Sequence, residues 1–93
     1  MLFRSLNEGD ENARFYKGLC LFELARYNEA IALLHPIAAG KTEPFYQEAY
    51  YYEGRSYDEI GDDVQAVAIY RQIIASGSFY KDKAKLQLKK LEK

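Results

Sequence analysis

The chain has 93 residues, which fits one domain, and 48% of them are apolar, which is enough to form a core. Its formal net charge of −1 gives no overall positive field, so we expect no nucleic-acid partner, and the lysines of residues 81–93 are interpreted as a solvated helix face. The apolar runs are too short to span a bilayer, which predicts a soluble chain without direct membrane insertion, by default cytoplasmic. Cys20, the single cysteine, excludes an internal disulfide, and its apolar neighbours predict a small buried side chain.

Helix signals begin in the first third of the chain. Residues 11–24 carry an apolar stripe along one face, as an amphipathic helix does. Asn28 is expected to cap a second helix over residues 29–39. Gly40 is expected to end that helix in the left-handed conformation, which glycine reaches without a Cβ clash.

Three more helices are predicted in the remainder. Residues 42–44, Thr-Glu-Pro, form a start signal for a helix that ends at Gly61. Asp62 is expected to cap the next helix, Gly77 to terminate it, and Ser78 to cap a last one. No segment shows the strict alternation and turn chemistry that are typical of strands.

The sequence repeats itself at an offset of 36 residues. RYNEAIALLHPI, residues 26–37, aligns without a gap with DDVQAVAIYRQI, residues 62–73. ARFYKGLCLFEL, residues 13–24, aligns in the same register with AYYYEGRSYDEI, residues 49–60. A helix–turn–helix unit repeated at such a period indicates a solenoid.

Both ends of the chain resemble pieces of this unit. FRSL, residues 3–6, is similar to the end of the second helix, and KDKAKLQLKKL, residues 81–91, is similar to the start of the first. We therefore divide the chain into four segments: residues 1–10 as the tail of a preceding helix or a cap, 11–44 as the first unit, 45–80 as the second, and 81–93 as a capping helix.

The repeated pattern resembles the tetratricopeptide repeat over about residues 11–80. The matching positions are Ala13, Gly18, Leu21, Tyr27, Ala30, Leu34 and Ile37 in the first unit, and Ala49, Gly54, Tyr57, Gly61, Ala66, Tyr70 and Ile73 in the second. The resemblance implies an all-α, right-handed helix–turn–helix solenoid of two repeats with flanking partial units, about five helices in total. Its glycines would allow the two helices of a unit to approach closely.

The sequence departs from the family pattern at two places, and each departure predicts a structural difference. Ala25 stands where the turn glycine would be, so we expect another geometry in that turn. Lys17 and Glu53 share a repeat position that is usually apolar, and we expect that they could pair across neighbouring units.

The resemblance implies a non-catalytic scaffold that holds a peptide or a partner helix in a concave groove lined by the first helices. The groove positions are Asn12, Phe15, Leu19, Phe22, Glu48, Tyr51, Tyr52, Arg55 and Asp58, and Lys83, Leu86 and Lys90 would extend the row. In the alternative, the same surface serves assembly, either as a homodimer contact or by packing in a longer repeat array.

The sequence contains little that indicates a catalytic site or a cofactor site. His35 is the only histidine and has no cysteine or second histidine with which to form a metal site, so no metal and no cofactor are expected. Some members of the family clamp the carboxylate of chaperone tails with lysine and asparagine. Here Phe15, Leu19 and Tyr52 occupy three of those places, so we expect no such binding.

Overall fold

The computed structural model describes residues 11–41 and 45–92, and these residues form five α-helices without a strand. The helices are α1 (Glu11–Glu23), α2 (Tyr27–Ala39), α3 (Tyr46–Glu59), α4 (Asp63–Ser76) and α5 (Lys81–Leu91). The expected all-α class is therefore confirmed. The start signal at residues 42–44 and the fragment at 3–6 lie outside the described residues, and the four segment boundaries stay a prediction.

Each helix packs against the next one along the chain, and α1 also packs against α3. The molecule is elongated, with extents of 45 × 26 × 18 Å along its principal axes. Sequential packing of repeated helix pairs in an elongated body is the architecture of a helical solenoid.

The core that the described residues form consists of two clusters that repeat with the sequence. The first cluster contains Phe15, Leu21, Ala30, Leu34, Ile37, Ala38 and Ala49. The second contains Tyr51, Ala66, Ile69, Tyr70, Ile73 and Ala84. Ala49 and Ala84 are fully buried, and each comes from the first helix after the pair whose core it completes. Each pair of helices is thus closed by the helix that follows it.

Two glycines let the helices of each pair approach closely, as expected. A Cβ added at Gly18 would lie 2.8 Å from Cδ2 of Leu34, and one at Gly54 would lie 2.9 Å from Cγ2 of Ile69. Both distances are shorter than carbon atoms tolerate, so a larger residue at either position would force a neighbouring side chain to shift.

The turns within the two pairs have the same geometry. Ala25 has a φ of 63° and Gly61 a φ of 86°, and both lie in the left-handed region. In each turn the following residue donates its N–H to a carbonyl five positions earlier, at 2.8 Å in the first turn and 2.9 Å in the second. The expectation of a different first turn is therefore wrong, and Ala25 adopts the strained conformation.

Helix ends follow the sequence signals in the second unit. The Gln65 N–H donates to Oδ1 of Asp62 at 3.3 Å, so Asp62 caps α4 as predicted. Gly77 ends that helix with a φ of 69°. Ser78 accepts the Tyr80 N–H on Oγ at 3.1 Å, but α5 begins only at Lys81, so this hydroxyl orders the approach to the helix.

Three expectations for the first unit are wrong. Helix α2 begins at Tyr27, ahead of Asn28, because it starts directly after the left-handed residue of the turn. The Gly40 N–H still donates to the carbonyl of Pro36, at 2.9 Å, so Gly40 stays right-handed and Lys41 takes the positive φ of 52°. Cys20 is exposed, since it lies on the face of α1 opposite the buried stripe.

Candidate functional site

The groove positions predicted on α1 differ in their accessibility. Asn12 is exposed, and Leu19 and Phe22 are half-buried against the first core cluster. Phe15 is only 1% exposed, and its ring stacks on that of Phe45 with centroids 4.5 Å apart. Phe15 therefore lies beneath the surface as a core residue, and almost none of its area is available for contact with a partner.

The positions on α3 show the same division. Glu48, Tyr52, Arg55 and Asp58 are half-buried, so each keeps some area open to solvent. Tyr51 is 4% exposed and belongs to the second core cluster. The buried members of the predicted groove, one in each unit, are thus core residues at the same repeat position.

Aromatic rings connect the two units in a continuous line. The Phe22 and Tyr52 rings meet edge to face with centroids 5.1 Å apart, and Tyr52 meets Tyr51 in the same way at 5.3 Å. Tyr51 then stacks on Tyr80, which precedes α5, with centroids 5.3 Å apart. We call Phe22, Tyr52, Tyr51 and Tyr80 the aromatic row. Its rings hold one another in place by contacts that are favourable beyond simple burial.

Tyr80 was not among the groove residues expected from the sequence, although a signal for it was present. An aromatic residue stands four positions before each buried alanine of α3 and α5: Phe45 before Ala49, and Tyr80 before Ala84. Phe45 stacks on the first buried ring as Tyr80 stacks on Tyr51. This aromatic position is part of the repeat, and the comparison of helices alone missed it because it lies in the connecting segments.

Two cations flank the aromatic row. Cζ of Arg55 lies 5.4 Å from the centre of the Phe22 ring, and Nζ of Lys83 lies 5.6 Å from the centre of the Tyr80 ring. Both distances are within the range of cation–π attraction. Arg55 also lies 3.6 Å from a carboxylate oxygen of Glu59 on the same helix. The cations are therefore oriented before any partner arrives.

Asp58 has a structural contact of its own. The Tyr70 hydroxyl donates to Oδ2 of Asp58 at 3.2 Å, which links α4 to the last turn of α3. Burial raises the pKa of Tyr70 well above its ordinary range, and the charge of Asp58 raises it further. Tyr70 thus keeps its proton, and Asp58 has one oxygen engaged inside the repeat.

Two phenols of the row, those of Tyr80 and Tyr52, are also held in their neutral form. Burial raises the pKa of Tyr80 to about 12, with a contribution from the charge of Glu48. Burial also raises the pKa of Tyr52, again with Glu48 contributing. At physiological pH these side chains therefore present ring surface and a hydroxyl that donates or accepts hydrogen bonds, and they supply no phenolate nucleophile.

The last helix extends the surface with exposed side chains. Lys83, Leu86 and Lys90 of α5 are all exposed. At the positions where related repeats clamp a carboxylate, Phe15 is buried and Leu19 and Tyr52 are half-buried. The absence of chaperone-tail binding stays a prediction that rests on these side chains.

A second candidate region lies between α2 and α3. Nδ1 of His35 and Oε2 of Glu53 form a hydrogen bond of 2.8 Å, and the His35 side chain is 62% exposed while Glu53 is 3% exposed. Burial raises the pKa of Glu53, while the hydrogen bond and charge of His35 lower it. The expected pairing of Lys17 with Glu53 is thus wrong, because Glu53 points into the helix interface and Lys17 remains exposed.

The described parts of the chain lack two further classes of feature. Residues 11–41 and 45–92 contain no group of three or more histidine, cysteine and acidic side chains that could hold a metal ion. No helix in those ranges has the length and apolar character needed to cross a membrane.

Five helices packed in chain order, with two pairs in repeated register, define an all-α helical repeat protein. Residues 48–76, which contain most of α3 and all of α4, match the family described as tetratricopeptide repeat, and this match supports assignment of the α3–α4 pair to that family. Searches of curated proteins and of solved structures found no match. Tetratricopeptide repeats typically bind proteins and are generally non-catalytic, so the assignment supports an interaction or scaffold role.

Proposed function

We propose that this chain is a non-catalytic scaffold that binds a peptide or a partner helix along the aromatic row and its flanking charges. The observation that carries the proposal is the unbroken ring contact from Phe22 on α1 to Tyr80 before α5. Because the rings are packed before binding, a partner would immobilise few side chains and bind at a lower entropic cost. Tyrosine and arginine are also enriched among residues that dominate binding energy.

The chemistry of the surface suggests how a partner would be held. Apolar side chains of the partner would contact the accessible faces of Phe22 and Tyr52, where water is displaced from aromatic surface. Arg55 and Lys83 would pair with acidic groups, and Glu48 with donors. A partner with apolar and acidic side chains on one face fits this arrangement.

The proposal is tested by selecting peptides from a displayed random library on the immobilised chain and measuring the best binders by calorimetry. We expect Tyr52→Ala and Arg55→Ala each to weaken binding by about tenfold, since each removes a central contact. Arg71→Ala is the matched control, because Arg71 on α4 pairs with Glu92, which follows α5, and takes no part in the aromatic row. Equal binding by the Tyr52→Ala, Arg55→Ala double variant and the unchanged chain would overturn the proposal.

The alternative function is assembly, and one residue favours it. Ala13 is half-buried, whereas the alanines at the same repeat position, Ala49 and Ala84, are fully buried. The described residues therefore leave the outer face of α1 partly uncovered, where a second copy or another repeat would fit. Light scattering after size-exclusion chromatography decides the homodimer form of this alternative. A mass near twice 10.8 kDa that persists on dilution supports it, and a monomer at all concentrations excludes it.

A further inference from the structure

A cavity of about 580 Å³ lies between the last turns of α2 and α4 and one face of α3. None of its lining residues belongs to the aromatic row. Its volume falls within the usual range of sites for small molecules or single side chains. The cavity spans both units, so its walls come from three helices that the fold already fixes in position.

The wall of this cavity contains a carboxylate that is incompletely satisfied. Oε2 of Glu53 is engaged by His35, but Oε1 is buried and has no hydrogen-bond partner among the described residues. A buried acceptor without a donor is costly, and such groups in native proteins call for an explanation. A bound group that donates a hydrogen bond to Oε1 would provide that explanation.

The charge around the cavity favours a cation as that donor. Among the described residues, Glu53 is the only acidic one in the lining, and it is buried, where charge interacts more strongly than in water. Lys41, also in the lining, is exposed, so solvent screens its opposing charge. Hydrogen bonds between a cation and a carboxylate are about twice as strong as neutral ones.

The remaining lining decides between a metal ion and an organic cation. A single carboxylate lacks the several oxygen ligands that calcium or magnesium requires, and the described residues contain no cluster that could provide them. Ala38, Ile73 and Phe79 contribute apolar area to the wall, which suits an alkyl chain. The site therefore fits a charged head that bears N–H donors on a short apolar stem.

We propose that this cavity binds an organic cation, an alkylammonium or alkylguanidinium group, with an N–H donating to Oε1 of Glu53 and its alkyl stem against Ile73 and Phe79. His35 positions the carboxylate by holding its other oxygen. The same chemistry occurs in free amines and in the lysine or arginine side chain of a protein, and the experiment below distinguishes these two sources.

The test is a titration of the full chain followed by two-dimensional amide NMR near neutral pH. The probes are n-butylguanidinium, n-butylammonium and a capped tripeptide with a central arginine. Tetramethylammonium is the control, because it is a cation without an N–H. We expect the first two probes to cause saturable shifts at amides of the lining, such as those of Gln47, Gln72 and Ser78, and the control to cause none.

The tripeptide identifies the source of the cation. Binding at least about tenfold tighter than n-butylguanidinium would indicate a protein side chain as the natural occupant, and weaker binding would indicate a free small cation. Either outcome supports a cation site. An absence of saturable shifts with every N–H probe, or equal shifts with tetramethylammonium, would overturn it.

Three variants link the shifts to the site. Glu53→Gln is expected to weaken binding by at least about tenfold, because it removes the charge while keeping the shape. Ala39→Phe places a ring on an exposed lining position and should block the cavity without altering the buried carboxylate. Glu29→Gln, an exposed carboxylate paired with Arg26 outside the cavity, is the matched control and should bind unchanged. If the Glu53 and Ala39 variants, with folding verified by circular dichroism, bind like the unchanged chain, the proposal is wrong.

Discussion

Replacing Ala25 by glycine should stabilise the protein, although alanine is normally the more favourable of the two residues in a helical protein. Ala25 has a φ of 63°, where a side chain with a Cβ is strained by about 1–2 kcal/mol. Glycine removes that strain but loses roughly 0.4–1 kcal/mol through the greater freedom of the unfolded chain. The net gain is about 1 kcal/mol, which corresponds to a rise in Tm of roughly 4–8 °C for a domain of this size.

The equivalent residue of the second unit provides the reverse experiment. A Cβ on Gly61 would meet no atom within 4 Å, so Gly61→Ala should cost the backbone strain less the gain from a less flexible unfolded chain, a net loss of about 1 kcal/mol. Ala68→Gly, at an exposed position inside α4, is the control and should destabilise by about 1 kcal/mol. Urea denaturation of the three variants measures these differences. If Ala25→Gly lowers the free energy of unfolding as Ala68→Gly does, the assignment of strain to this turn is refuted.

Three further predictions concern the packing and the buried polar groups. Gly54→Ala should destabilise more than Gly18→Ala in urea denaturation. The new methyl at position 54 would meet the stiff β-branched side chain of Ile69 and the buried ring of Tyr70, whereas at position 18 it would meet Leu34, whose flexible side chain can move. Equal losses in the free energy of unfolding would contradict this prediction. Tyr70→Phe should lower the free energy of unfolding by about 1 kcal/mol through loss of its hydrogen bond to Asp58, and no loss would mean that the bond is not net stabilising. Since burial raises the pKa of Glu53, the folded state disfavours its ionised form, and stability falls as pH rises through that raised pKa. Glu53→Gln, which cannot ionise, should therefore gain stability relative to the unchanged chain from acidic to neutral pH, and a constant difference in denaturation midpoint would refute this.

The fold could be predicted because its packing repeats in the sequence. Small residues at Ala30, Ala49 and Ala66 recur where helices meet, and each of these side chains is fully buried. Helix ends were harder to predict because they depend on local hydrogen bonds. Gly40 has the residue type of a helix terminator, yet its N–H remains bonded within the helix and Lys41 makes the reversal.

The candidate site was predictable only in part, because side-chain partners depend on neighbouring helices. The repeat placed Tyr52 and Arg55 on one face of α3, and both are half-buried there. It also predicted Phe15 as a groove residue, but Phe45 from a connecting segment covers its ring. The partner of Glu53 was missed because His35 belongs to a different repeat position on α2.

The burial of Ala49 and Ala84 in the cores of the preceding helix pairs determines how the protein can come apart. The smallest complete layer contains three helices, so the first layer is α1–α2–α3 and the second is α3–α4–α5. Helix α3 is a shared wall between these layers, whereas α5 serves only one. Detachment of α5 would leave the first layer intact, but unfolding of α3 would disrupt the packing of both layers at once. Amide hydrogen exchange should accordingly be slowest in the middle of α3 and become faster toward α5.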